Sequence, residues 1–313
     1  MLKIGNIRLN KSLILAPLHG VNCNAFRLLC KSHGAGLVYT SMIHDETILG
    51  KEKPLDVIEE ERPIAVQLVG KDNIAEAASL IEDKADIIDI NLGCPDKEVL
   101  TKKAGSFLIK HPDQMEKAVS KVVSAVNRPV TAKIRIGWDN KSINAIEVSK
   151  ILENNNITAI AVHARTAKQG YTGKADWNII RQVKRAVNIP VIGNGDVFRP
   201  KDYQPIIDKT DADAVMIGRG SIGNPQIFEN IIRIKQDKPI IRKDSSLAYQ
   251  YFREFLSYYK KYSPRNIFSE IRQHAMWLVK GIKNGKEIKN SLSECRDING
   301  LKEIFEKRAT SSP

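Results

Sequence analysis

Short apolar runs rich in Val, Ile and Leu recur along the chain, and stretches with apolar residues at helical spacing lie between them. The runs Leu13–Ala16, Leu37–Thr40, Ile64–Leu68, Ile87–Asn91, Val130–Arg135, Ala159–His163, Pro190–Asn194 and Ala214–Gly218 read as buried strands. The stretches Ile74–Lys84, Pro112–Val126, Ile143–Asn154 and Trp177–Val187 read as amphipathic helices. Eight strands alternating with helices over roughly 230 residues predict an α/β fold, a parallel (β/α)8 TIM barrel. A doubly wound sheet would need a glycine-rich fingerprint after its first strand, and "LAPLHGVN" has none. Beyond Phe228 the pattern changes. The stretch "RIKQDKPIIRKDSS" is polar and broken by proline, and Leu247–Lys261, Pro264–Lys280 and Ser291–Arg308 read as helices with no strand among them. The chain is therefore expected to divide into a barrel over residues 1–236 and a small all-helical domain over 245–313. A chain ended near Ile240 is expected to keep the barrel's ligand site.

Composition adds a compartment and a class of partner. The 313 residues are 42% hydrophobic and 27% charged, ordinary for a soluble globular protein. No apolar run approaches membrane-spanning length and no charged-then-apolar leader opens the chain, so a cytoplasmic monomer with no membrane partner is expected. Four cysteines (Cys23, Cys30, Cys94 and Cys295) are too few and too scattered for a disulfide framework or a metal site, and no metal is expected. The net charge is +13. After residue 240 there are 15 Lys and Arg against 8 Asp and Glu, and before it 34 against 28, so the last quarter carries more than half of the excess. A surplus placed this way suits a polyanionic partner. An Asn- and Ile-rich proteome with an AT-biased genome would produce the same surplus without a partner, and charge alone does not separate the two.

In a barrel of this kind the chemistry gathers at the C-terminal ends of the strands. Those ends read "LAPLHG", "AVQLVG", "DINLGCP", "TAKIRIG", "IAVHART", "VIGNGD" and "VMIGRGSIGNP". They deliver Gln67, Asn91, Cys94, Lys133, Arg135, His163, Arg165, Asn194, Asp196 and Arg219 to one face. Taken singly, each is an ordinary rim residue; ten on one face are more than a packed core requires. Cys94 follows a turn-forming glycine and precedes a proline, so it is either an incidental turn residue or a reactive group held out at a strand terminus. The glycine-rich turns Gly193–Asp196 and Gly218–Gly220 follow the last two strands, where barrels of this class cradle phosphate, and they imply a phosphorylated cofactor.

The blocks "LAPLHGVNCNAFR", "DINLGCP", "AKIRIGW", "VHARTAKQGYTGKADW", "IPVIGNGD" and "AVMIGRGSIGNPQIF" resemble, in order and spacing, the signature blocks of the bacterial tRNA-dihydrouridine synthases. The match runs from Leu15 to Phe228, and "IRQHAMWLVKG" resembles a further, looser block. The chain departs from the family at Leu18 and His19, where methionine and alanine are usual. It departs again at Asn22 and Cys23, where threonine and aspartate are usual, and it lacks a lysine before His274. The resemblance implies an FMN-dependent barrel with a helical tRNA-binding domain, reducing the C5=C6 bond of uridines in tRNA with NADPH or NADH as reductant.

Chemistry and resemblance together assign roles. Reduction needs a hydride at C6, which a reduced flavin supplies, and a proton at C5. Cys94 is the expected general acid, because a thiol with a reference pKa of about 8.5 stays largely protonated near neutrality. Gln67 is expected at the isoalloxazine edge, Lys133 near flavin N1–O2, and His163 within reach of the flavin or its phosphate. Ala16, Pro17 and Leu18 lie beside the ring; Asn194, Gly195, Asp196, Gly218 and Arg219 grip the ribityl chain and phosphate. Asn91 and Arg165 are assigned to the uracil edge or the tRNA backbone. Tyr171 is either a positioner of the substrate loop or a packed loop aromatic. The target base has to leave its stack to reach the barrel, and Arg272, His274, Lys280 and Lys283 are the candidates for a backbone clamp. Two other readings stay open: an FMN barrel acting on a free pyrimidine, and a catalytically silent RNA-binding barrel.

Overall fold

Alternation along the strands decides what fills the centre of the molecule. The computed structural model describes residues 1–50, 55–263 and 267–309. Among the described residues eight parallel strands form the barrel: β1 (Leu13–Leu15), β2 (Val38–Tyr39), β3 (Ile64–Val69), β4 (Ile87–Leu92), β5 (Val130–Arg135), β6 (Ala159–His163), β7 (Val191–Asn194) and β8 (Ala214–Ile217). Their order is β1-β8-β7-β6-β5-β4-β3-β2, with a short extra strand, Ile43–His44, also paired to β3. A parallel bridge between Ile14 and Leu37 closes the ring. All eight strand candidates are in it.

One set of alternate residues packs inward. Ile14, Leu37, Tyr39, Ala65, Ile87, Ala159, Ala161, Ile192, Ala214 and Met216 share one buried apolar cluster. Continuing the same period of two towards the strand ends brings up Gln67, Asp89, Asn91, Thr131, Lys133, His163 and Asn194. The barrel thus has an apolar floor and a polar mouth. The floor is sealed by a hairpin, Leu2–Ile4 against Ile7–Leu9, whose Leu2, Ile4 and Leu9 join the interior cluster. Its turn needs Gly5, at φ +56° with Pro129 2.6 Å from where a Cβ would stand. Three-residue strands are too short to show a period, so the apolar pattern did not predict this hairpin.

The other set faces a shell of helices: α1 (Asn24–Ser32), α2 (Ile74–Leu80), α3 (Pro112–Ala125), α4 (Ala145–Asn154), α5 (Trp177–Ala186), α6 (Tyr203–Thr210) and α7 (Gln226–Ile234). Helices α8 (Ser245–Tyr262), α9 (Phe268–Leu278), α10 (Gly285–Glu294) and α11 (Ile298–Ala309) follow. The expected helix from Pro264 lies outside the described residues at 264–266. The single helix expected over Ser291–Arg308 is two, because Cys295 is extended and the Asp297 carboxylate accepts the Gly300 N–H at 2.8 Å, starting a new helix. No helix among the described residues is long and apolar enough to cross a membrane.

The helical region is not loosely tethered. The linker is pinned where Asn230 exchanges two hydrogen bonds with the Ile241 backbone. His33, at the end of α1, bridges Glu229 of α7 (3.3 Å) and Glu254 of α8 (3.1 Å). Burial alone would lower the pKa of its imidazole, but these carboxylates, Glu254 foremost, raise it. Phe26, Leu29, Phe252, Phe255, Ile271 and Ala275 belong to the same buried cluster as the barrel's outer shell. Ending the chain near Ile240 would bare that apolar face.

Candidate active site

The polar ends of the interior rows meet at the mouth in two adjoining cavities. The first lies over β1, β7 and β8. It is lined by Ala16, Pro17 and Leu18, by Asn194, Gly195, Asp196, Gly218 and Arg219, and by Lys133, His163 and Tyr171. Gly195 sits at φ +129°, and a Cβ there would stand 2.9 Å from that of Ala175. Asn194 is fixed by its amide, which donates to the Met216 carbonyl at 2.7 Å. The Arg219 guanidinium lies 4.5 Å from the ring centre of Tyr171 and 5.0 Å from that of Phe198. Its ion pair with Asp196 is loose at 3.6 Å, which leaves guanidinium N–H groups for an anion in the cavity.

Asp196 and Arg165 are paired. Their ion pair is tight (2.7 Å), and the Asp196 carboxylate also accepts the Ala175 N–H at 2.7 Å. Arg165 is only 2% exposed and donates to the carbonyls of Thr172 (3.2 Å) and Gly173 (2.7 Å). The pair is a strut that holds the loop carrying Tyr171. Arg165 has no face open to uracil or to an RNA backbone, which corrects its assignment to substrate. Tyr171 itself is 60% exposed and lines both cavities.

The second cavity is built around Cys94 and lined also by Gln67, Asn91, Lys133, Arg135, His163 and Tyr171. It shares Pro17, Lys133, His163 and Tyr171 with the first. Gln67, expected beside the cofactor, lines this cavity rather than the glycine-rich one. The Cys94 loop is held from both sides. Asn91 Oδ1 accepts the N–H groups of Gly93 (3.0 Å) and Cys94 (2.9 Å), while Arg135 Nε donates to the Gly93 carbonyl at 2.8 Å. The Cys94 carbonyl accepts the Ser106 N–H at 3.0 Å. Gly105 lets this happen, since a Cβ there would stand 2.7 Å from that carbonyl oxygen. Arg135 and Gly105 were not assigned roles from the sequence, nor were Met42 and His44 on the rim. For Arg135 the signal was its place at the end of β5, two residues beyond Lys133.

Burial sets the protonation states. It pushes the Cys94 thiol above its ordinary pKa, so the group is a thiol at neutral pH. Lys133 is brought down to about 8, by burial first and then by the charge of Arg135. His163 is held well below its ordinary value by burial, reinforced by Lys133 and Arg135, and is a neutral imidazole.

Of the two residues proposed for an RNA clamp on α9, His274 is buried and Arg272 is partly exposed. His274 is 3% exposed and packs against Phe26 (5.3 Å), Phe255 (4.5 Å) and Trp277 (4.9 Å). Burial lowers its pKa to about 3, so it carries no charge to offer a phosphate. Its Nε2 lies 3.7 Å from Cys23 Sγ, tying α9 to the β1–α1 loop. Arg272 donates to the carbonyls of Ser293 (3.3 Å) and Cys295 (3.1 Å), joining α9 to the end of α10. His274 is a fastening within the fold.

The family model described as "Dihydrouridine synthase (Dus)" matches residues 14–312 of the chain. The chain belongs to the dihydrouridine synthase family. It is 36% identical over 316 residues to a "Probable tRNA-dihydrouridine synthase" of Rickettsia bellii, covering 97% of this chain and 96% of the relative. It is 38% identical over 311 residues to "tRNA-dihydrouridine synthase B" of Vibrio vulnificus, covering 93% and 94%. Among solved structures, the old yellow enzyme homologue from Zymomonas mobilis aligns with a TM-score of 0.54 at 12% identity, over 77% of this chain and 93% of that one, a likeness of fold. Within the family frame the departures fall on the cavity walls: Leu18 on the first, His19 on the second. Asn22 lies behind them, its amide donating to the carbonyls of Ala16 and Tyr39, each at 2.9 Å.

Proposed function

We propose that this dihydrouridine synthase reduces the C5=C6 bond of uridines in tRNA, with FMN in the first cavity, NADPH or NADH as reductant, and Cys94 as the proton donor. The observation that carries the reading is a thiol kept protonated in a cavity that shares Lys133, His163 and Tyr171 with a glycine- and arginine-lined cradle. The donor set fits a single phosphate and a planar ring: Gly195 and Arg219 for the phosphate, Asn194 for the ribityl chain, Ala16–Leu18 and Lys133 for the ring. When bound, the flavin supplies the hydride that adds to uracil C6. Negative charge then spreads over C5 and O4. The S–H bond of Cys94 breaks as its proton passes to C5, and the thiolate left behind is stabilised by Lys133 and Arg135. The relatives' names and the basic surplus of the last quarter support tRNA as the substrate. Lys280 and Lys283 are exposed and remain as phosphate contacts.

The pH dependence tests the acid role. Cys94 and Lys133 must both be protonated, so turnover on tRNA is expected to be flat below about pH 7 and to fall through about pH 8 as Lys133, then Cys94, lose protons. A rate that keeps rising to about pH 9 would mark Cys94 as a thiolate nucleophile and overturn the reading.

A further inference from the structure

Asp89 is a carboxylate in the barrel interior with no solvent access, and none of the roles above uses it. It accepts hydrogen bonds from Thr131 Oγ1 (2.6 Å) and Gln67 Nε2 (2.7 Å). Gln67 Oε1 in turn accepts from Asn91 Nδ2 at 2.9 Å. Asn91 Oδ1 accepts from the backbone N–H groups of Gly93 and Cys94. The chain of bonds therefore runs from the middle of the barrel to the backbone of the Cys94 loop. The strand register makes it possible, since Gln67 and Thr131 both stand opposite Asp89.

Its direction is determined from both ends. A backbone N–H can only donate, so Asn91 must present its oxygen to the loop and its nitrogen to Gln67. Gln67 must then present its oxygen to Asn91 and its nitrogen to Asp89. Starting from Asp89, a carboxylate that already takes the Thr131 hydroxyl proton accepts from Gln67 and forces the same two orientations. Burial raises the Asp89 pKa to about 6, while its bonds to Gln67 and Thr131 and the charge of Lys133 hold it down, so it is an acceptor at neutral pH.

We propose that Asp89 is a positioning residue: through the amides of Gln67 and Asn91 it sets the polarity of the turn that presents Cys94. Without an acceptor at position 89, Gln67 Nε2 loses its partner and the amide is free to reverse, which would turn an N–H towards the Asn91 N–H and free the Gly93 and Cys94 amides. The inference rests on Cys94 as the working thiol, but its test reads the loop itself.

Hydrogen exchange of the Gly93 and Cys94 amides is the direct measurement, made on the wild type, Asp89→Leu and the double variant Asp89→Leu/Gln67→Glu. In Asp89→Leu the two amides should exchange at least about fivefold faster, as expected for losing a hydrogen bond of ordinary strength. The double variant places a carboxylate one link further along, where it accepts from Asn91 Nδ2, and should recover wild-type protection. A merely structural lesion would not be rescued by a second change that leaves a charge in the same interior. Should Asp89→Leu not fold, Gln67→Met removes the same link at similar volume and should give the same loss at the two amides. Unchanged protection in whichever of these variants folds, or no recovery in a folded double variant, would overturn the proposal. Either result is independent of whether Cys94 donates the proton.

Discussion

Replacing Cys94 with Ala is expected to lower turnover on tRNA by about 10²–10⁴-fold while leaving FMN bound and still reducible by NADPH. The size follows from losing a positioned acid at a carbon that must be protonated. The selectivity follows from geometry, because Cys94 lines the second cavity and not the glycine-rich first one. Single-turnover mixing of the reduced protein with tRNA reads the affected step alone. The remaining cysteines serve as controls. Cys30 is buried in the shell, Cys23 lies against His274, and Cys295 follows α10, all away from both cavities. Replacing them leaves the chemical step nearly unchanged, although Cys30→Ala removes a fully buried side chain and costs stability. A flavin half-reaction that runs at wild-type speed in Cys94→Ala would return Cys94 to the status of a turn residue.

Replacing Arg219 with Ala is expected to weaken flavin retention by about 10- to 100-fold, the range for a hydrogen bond to a charged group. Arg219 has only a loose partner in Asp196, and two aromatic rings, of Tyr171 and Phe198, hold its guanidinium at the cradle. Asp196 is already neutralised by Arg165, so it does not compete strongly for Arg219. Flavin released on denaturation, identified and counted per chain, checks both the loss and the expectation of FMN. Full occupancy in Arg219→Ala would move the phosphate elsewhere.

The barrel was legible because each of its strands is a short β-branched run and the interior residues follow a strict period of two. That period also carries the polar mouth, which is why Lys133, His163 and Asn194 could be named from strand ends alone. Roles that depend on partners were not legible. Nothing in "VHART" distinguishes an arginine that meets substrate from one that clamps Asp196 and the Thr172–Gly173 backbone. Nothing in "IRQH" says that Phe26 and Phe255, far off in sequence, close over His274. Asp89 was hidden for a related reason. One acid in an apolar strand looks like an irregularity until the register sets it opposite Gln67 and Thr131. The helical region read correctly as helices, but its division at Cys295–Asp297 depended on a local cap, and its firm seat on α1 on long-range packing.

The central claim is that the two cavities work together on uridine in tRNA. It is tested most directly by incubating the purified protein, NADPH and unmodified tRNA, and then mapping dihydrouridine along the RNA. Dihydrouridine at defined positions with the wild type, and none with Cys94→Ala, is the predicted result. Unmodified tRNA from a flavin-loaded wild type that instead reduces free pyrimidine would contradict it.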